Sequence, residues 1–170
     1  MFEQIEFRQA KPQDASAIWE ILQQAIRRRK EDGSTQWQNG YPNEKTVESD
    51  IAKGYCYVLT IDDEIIASAA LIFNNEPTYE VIEGDWLTLG DFLVVHRIAV
   101  SDQVAGKGIA THFFHFFEDH ANAHQVYSIK VDTNYDNIAM MKILDKLGYS
   151  YCGEIQVSDG PRKAFEKVLK

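Results

Sequence analysis

Between an apolar run at Phe92 to Val100 and a second run opening at Ile109, the chain reads Gln103-Val104-Ala105-Gly106-Lys107-Gly108. A short turn with two glycines between a strand and a helix has one obvious chemistry, the binding of an anion. Gly106 and Gly108 let the backbone approach a ligand without Cβ obstruction. Free amides at the start of the next helix, from Ile109 through Ala110 and Thr111, attract phosphate oxygens with help from the helix dipole. Lys107 either adds a positive charge or points to solvent. A second kind of chemistry sits just upstream, where His96 and Arg97 interrupt the apolar run. An imidazole with an unperturbed pKa of about 6.5 suits proton transfer. Two basic residues in such a strand need partners, because burying them unpaired is costly. Asp132 on the next strand is the candidate partner of His96. Under the alternative reading, both basic residues merely bond carboxylates or carbonyls, and water carries the proton.

Three readings of the turn compete with the simple anion site. A Walker loop requires G-x-x-x-x-G-K-S/T, but Lys107 is followed by Gly108 and no glycine stands at 101 or 102. A dinucleotide fingerprint requires G-x-G-x-x-G/A near the first strand, whereas position 111 is Thr and the turn comes late. A connection with no ligand stays open on this turn alone.

The elements that position these residues follow from periodicity and punctuation. Ile5 to Arg8 alternates as a short strand. Pro12 and Asp14 open a helix with Ala17, Ile18, Ile21, Leu22, Ala25 and Ile26 on one face. Its basic end, Arg27 to Lys30, suits the negative pole of the dipole. Residues 33–42 form a loop, Glu44 to Lys53 a second helix, and Tyr55 to Ile61 with Ile65 to Phe73 a hairpin. Residues 74–90 are polar and irregular. Phe92 to Val100 has the continuous apolar character of a central strand, and alternation puts His96 with Val94, Ile98 and Val100, opposite Arg97. A helix at Ile109 to Asn122 and a strand at Val126 to Val131 come next. A helix at Asp136 to Leu147 ends at Gly148, and two last strands lie at 149–157 and 162–169. This order, β-α-α-β-β-β-α-β-α-β-β, describes an α/β (α+β) fold, a mixed sheet of about seven strands flanked by about four helices.

With these residues in place, the sequence resembles the GNAT superfamily of acyl-CoA-dependent N-acetyltransferases. The signature Q/R-x-x-G-x-G/A is met by Gln103 to Gly108 after Arg97-Ile98-Ala99-Val100. A second block, Val131-Asp132-Thr133-Asn134, then Asn137, then Lys146-Leu147-Gly148-Tyr149, is similar to the second cofactor-contacting segment. The resemblance covers nearly the whole chain. It implies a mostly antiparallel sheet and acetyl-CoA (coenzyme A) as co-substrate. Backbone groups of Ile98, Ala99 and Val100 would pair with the pantetheine arm. Amides from Gln103 through Val104, Ala105, Gly106, Lys107 and Gly108 to Ile109 would cradle the pyrophosphate. Asn137 would bond the arm near the thioester, and an amide near Ile98 would polarise the acyl carbonyl. The amine would then attack directly in a ternary complex. Many members supply a proton from a tyrosine seven residues after the asparagine; here that position is Leu144, so the role is not carried over. Tyr135 and Tyr149 lie nearby, and packing is the simpler account of each.

A chain of 170 residues with 45% apolar content fits a single domain, 1–170, with a core of its own. A net charge of −9 disfavours nucleic acid as a partner. Cys56 and Cys152 have no disulfide or metal spacing and read as reduced core thiols. The start at Met1 lacks the basic and apolar parts of a leader. No run reaches the roughly 18 apolar residues of a membrane helix. The expectation is a cytoplasmic enzyme with no metal and no membrane partner, acting on an amine of a small molecule, a peptide N-terminus or a lysine. A homodimer is common in the family. Trp37 and Tyr41 in the first long loop, and Trp86 beside Glu80, Glu83 and Asp85, would form an aromatic and acidic acceptor wall; alternatively each Trp plugs the core.

Overall fold

The computed structural model describes residues 4–170. Met1, Phe2 and Glu3, where the expected lack of a leader begins, lie outside the described residues. The strands are β1 (Ile5–Gln9), β2 (Cys56–Ile61), β3 (Glu64–Phe73), β4 (Glu83–Gly84), β5 (Leu93–Val100), β6 (Ser128–Thr133), β7 (Ser150–Val157) and β8 (Gly160–Val168). The helices are α1 (Ala15–Glu31), α2 (Glu44–Ala52), α3 (Ile109–Ala123) and α4 (Ile138–Lys146). The sheet order is β1-β2-β3-β5-β6-β8-β7-β4. The described residues thus have eight strands rather than seven. The added strand, β4, is two residues long and pairs Glu83 with Glu154 and Gly84 with Gly153. Two glycines meet there, and a Cβ on Gly84 would fall 2.1 Å from the Cys152 carbonyl oxygen. Such a pairing needs no apolar pattern, so periodicity had nothing to detect.

The chain divides into two compact units that interleave along the sequence. The first runs to Leu71 and resumes over Arg97–Phe113; the second holds Ile72–His96 and Phe114–Lys170. No single cut separates them, which is why no linker composition marks a boundary.

In the first unit β1 pairs antiparallel with β2, Phe7 opposite Leu59, and β2 antiparallel with β3, Val58 opposite Ser68. Of the expected face of α1, Ile18, Ile21, Leu22 and Ala25 are buried in one cluster with Val47, Cys56, Val58 and Ala99, Ile26 packs against it partly buried, and Ala17 is exposed. A 3-10 turn at Pro12–Asp14 precedes α1. The Asp14 carboxylate accepts from the Lys11 amide and from both ends of the Arg8 guanidinium. The basic end of α1 does more than face a dipole: Arg28 Nη2 donates to the Val100 carbonyl at 2.7 Å and Nη1 to Asp102. Both thiols are free and buried, and burial pushes Cys56 up to about 12.

In the second unit the start of β5 runs parallel to β6, Leu93 opposite Ile129 through Val95 opposite Val131. The β6·β8 and β8·β7 ladders are antiparallel. Alternation puts Ser128, Lys130 and Asp132 of β6 on one face, and residues 74–92 are fastened to all three. Glu166 on β8 is fully buried. It accepts from Leu87 N at 2.7 Å, Thr88 N at 3.3 Å, Thr88 Oγ1 at 2.5 Å and Ser128 Oγ at 2.5 Å. Removing this carboxylate would strand several buried donors at once. Glu166→Ala is therefore expected to destabilise the protein by about 3–5 kcal/mol. Urea unfolding would measure it, with Glu166→Gln retaining part of the loss because its amide oxygen still accepts.

Candidate active site

His96 ends the part of β5 that belongs to the second unit, and its surroundings there are acidic. Its Nε2 lies 2.7 Å from Glu76 Oε2, and its Nδ1 lies 3.8 Å from Asp132 Oδ2. The His96 and Glu76 side chains are each 19% exposed. The hydrogen bond with His96, with help from Thr78, pushes Glu76 down to about 2. An ionised carboxylate only accepts, so Nε2 must carry the proton toward Glu76 in the neutral ring. The lone pair then resides on Nδ1. Asp132, the expected partner, is beyond hydrogen-bond range of His96 and accepts instead from Tyr79 OH at 2.5 Å. Burial, then Asp132, holds the Tyr79 hydroxyl well above its ordinary value, so it keeps its proton. Glu76 and Tyr79 were missed by sequence reasoning because a 3-10 turn, Pro77–Val81, brings them in from an irregular segment without periodicity.

The next residue, Arg97, breaks the strand. Its φ is 54°, so the alternation expected to join His96 with Ile98 and Val100 cannot be carried across it. Its guanidinium bonds both Asp50 oxygens at 2.8 Å and the Tyr41 hydroxyl at 2.7 Å. The ladder to β6 has already ended at Val95. Beyond the kink, Ile98, Ala99 and Val100 complete β5, and the turn follows.

Within that turn, Val104 N donates to Ser101 O and Lys107 N to Val104 O. Gln103 N donates to Ser101 Oγ. Among the described residues the amides of Ala105, Gly106, Gly108 and Ile109 meet no such acceptor. Gly106 and Gly108 have φ of 78° and 79°, and a Cβ at either would meet no protein atom within 4 Å. Free amides at a helix start with open space before them fit a pyrophosphate. Ala110 and Thr111 lie in the first turn of α3.

The remaining expected residues divide. Asn137 caps α4, its Oδ1 accepting from Met140 N at 3.2 Å. Leu144 is fully buried, so the position of the family's usual tyrosine serves packing. Tyr149 is buried edge-on to Phe114, and Tyr135 donates to Glu154. Trp37 is a core plug: it is 9% exposed and lies in the α1 cluster, with the Arg29 guanidinium 5.5 Å from its ring. Trp86 is also engaged. Lys130 Nζ sits 4.4 Å from its ring and 4.2 Å from that of Phe92, and its indole N–H donates to the Tyr79 carbonyl. An internal ammonium thus takes the aromatic contact expected for a substrate's. Tyr41 alone of the three is substantially exposed, at 47%.

No helix among the described residues is long and apolar enough to cross a membrane. No group of His, Cys, Asp and Glu among them has the arrangement of a metal site.

The sequence profile of the Acetyltransferase (GNAT) family matches residues 17–149. A solved GNAT-family acetyltransferase from Streptococcus agalactiae 2603 is 34% identical, with a TM-score of 0.90 over 100% of this chain and 98% of that one. Another, from Listeria monocytogenes 4b F2365, is 21% identical with a TM-score of 0.78, over 97% of this chain and 95% of that one. The Bacillus subtilis (strain 168) protein described as the uncharacterized N-acetyltransferase YesJ is 24% identical over 143 residues, 83% of this chain and 79% of its own. By the span of the profile and by the fold, the chain belongs to the acetyltransferase (GNAT) family.

Proposed function

We propose that the protein transfers an acetyl group from acetyl-CoA to a primary amine by direct attack. The observation that carries this reading is the turn at Ala105–Ile109, with unengaged amides and open glycines, following a strand whose ladder stops short. When bound, acetyl-CoA supplies the acetyl group as a thioester. The turn's amides hold the pyrophosphate and backbone groups of Ile98 to Val100 hold the pantetheine arm, all within the first unit. The Val100 carbonyl already accepts from Arg28, so Ile98 and Ala99 carry most of the arm pairing.

An alkylammonium with a pKa of about 10 must lose a proton before or during attack. His96 Nδ1 takes it. Glu76 holds the ring in the tautomer that leaves Nδ1 free and stabilises the imidazolium that results. Asp132 lies on the Nδ1 side, itself held by Tyr79. The acceptor is an amine of a small molecule, a peptide N-terminus or a lysine, and the protein works as a soluble cytoplasmic enzyme.

Thiol release from acetyl-CoA, measured against a panel of a diamine, a free-N-terminal peptide and a lysine peptide, tests the reading. At least one amine is expected to raise release well above its uncatalysed rate. Tight CoA binding without release for any amine would favour a non-catalytic acyl-CoA-binding module instead.

A further inference from the structure

The kink in β5 calls for a cause. Arg97 is a long-chain L-residue in the left-handed region, where Cβ crowds the following carbonyl. Such a conformation persists only when its surroundings over-determine it. Here the surroundings are specific. Asp50 on α2 grips the guanidinium with two parallel bonds of 2.8 Å, and the two side chains are only 14% and 13% exposed. The Tyr41 hydroxyl adds a third hold at 2.7 Å from the loop before α2. A planar fork held at both ends fixes direction as well as distance. A left-handed residue reorients the peptide that follows it, and that peptide leads into Ile98.

We propose that Asp50 is a positioning residue for the acetyl donor. By gripping Arg97 it holds the left-handed kink, and the kink presents the backbone of Ile98 and Ala99 to the pantetheine arm. This rests on the acetyl-CoA reading above, and all the groups it invokes lie in the first unit. Neither Asp50 nor the Arg97 side chain touches the donor. The ion pair acts through backbone geometry alone, so a residue that adopts the kink unaided should make it dispensable. Glycine is that residue.

The experiment compares Asp50→Asn, Arg97→Gly and the double variant Asp50→Asn/Arg97→Gly. The readouts are CoA affinity by calorimetry, steady-state kinetics, thermal midpoint, and the backbone ¹³C shifts of residues 97–99. In Asp50→Asn the shifts at Arg97 are expected to leave their left-handed values. CoA affinity and kcat/KM for acetyl-CoA should each fall about tenfold while KM for the amine holds. The double variant should recover CoA affinity to within about threefold of wild type, because glycine restores the kink without the pair. A merely structural role would lower the thermal midpoint of Asp50→Asn and leave its CoA affinity unchanged, which would overturn the proposal. A double variant no better than Asp50→Asn would also overturn it, by showing that the guanidinium is needed for itself. Failure of the wild type to bind CoA would defeat the functional reading, whereas unmoved Arg97 shifts in Asp50→Asn would defeat the positioning claim alone.

Discussion

His96→Ala is expected to lower kcat/KM for the amine by about 10²- to 10⁴-fold, the range for loss of a positioned general base. The imidazole is the group whose geometry singles out one nitrogen. Glu76 Oε2 at 2.7 Å claims the Nε2 proton, so the neutral ring offers Nδ1. The hydrogen bond with His96 holds Glu76 down to about 2, below an ordinary value of 4.5, so Glu76 stays ionised throughout the assay range. The same shift has a sign for stability. A lowered folded pKa stabilises above the ordinary carboxylate value, and that contribution is lost as pH falls from about 4.5 toward about 2. Glu76→Gln removes it and frees the ring to choose its tautomer, with a smaller rate loss of about tenfold expected. Thiol-release kinetics across the pH range, with CoA affinity as the control, would check both. Unchanged turnover in His96→Ala would remove the base assignment while leaving family membership and the cofactor cradle intact.

How far the sequence foresaw this arrangement depended on whether a residue's role follows from local pattern. The helix faces, the central strand and the glycine turn all announce themselves within a few residues, through apolar spacing and backbone need. The second carboxylate of the site did not. Glu76 and His96 are twenty residues apart, and Glu76 sits in a polar stretch where Glu80, Glu83 and Asp85 look equally eligible. Only the path of residues 74–92 over β6, set by Glu166, Lys130 and Asp132, decides which acid arrives. Trp37 and Trp86 show the converse. An aromatic residue in a loop reads as a platform until the structure reveals what covers it, here the α1 core and the Lys130 ammonium. Arg97 is a third kind of case. Its type and its need for a carboxylate were legible, but a positive φ in the middle of an apolar strand contradicts the pattern that defines the strand.

Gly108→Glu and Gly106→Glu are expected to abolish measurable CoA binding in a folded protein. Both positions lie at φ near 80°, yet a side chain at either would meet open space rather than protein. Two costs can therefore be separated. The backbone cost is conformational, about 1 kcal/mol for an L-residue held left-handed, and Gly108→Ala should show it as a small loss of stability. The binding cost is not conformational. A carboxylate placed before the amides of Gly108 and Ile109 competes for those donors and repels the pyrophosphate. Calorimetry on Gly108→Ala, Gly108→Gln and Gly108→Glu would order the effects. Alanine should weaken CoA modestly, glutamine more through its bulk, and glutamate most. Only the excess of glutamate over glutamine should shrink as salt is raised, because screening acts on charge and not on volume. Normal CoA affinity in a folded Gly108→Glu would mean that the phosphates lie elsewhere. The turn would then be an ordinary strand-to-helix connection, its glycines required only by its backbone angles.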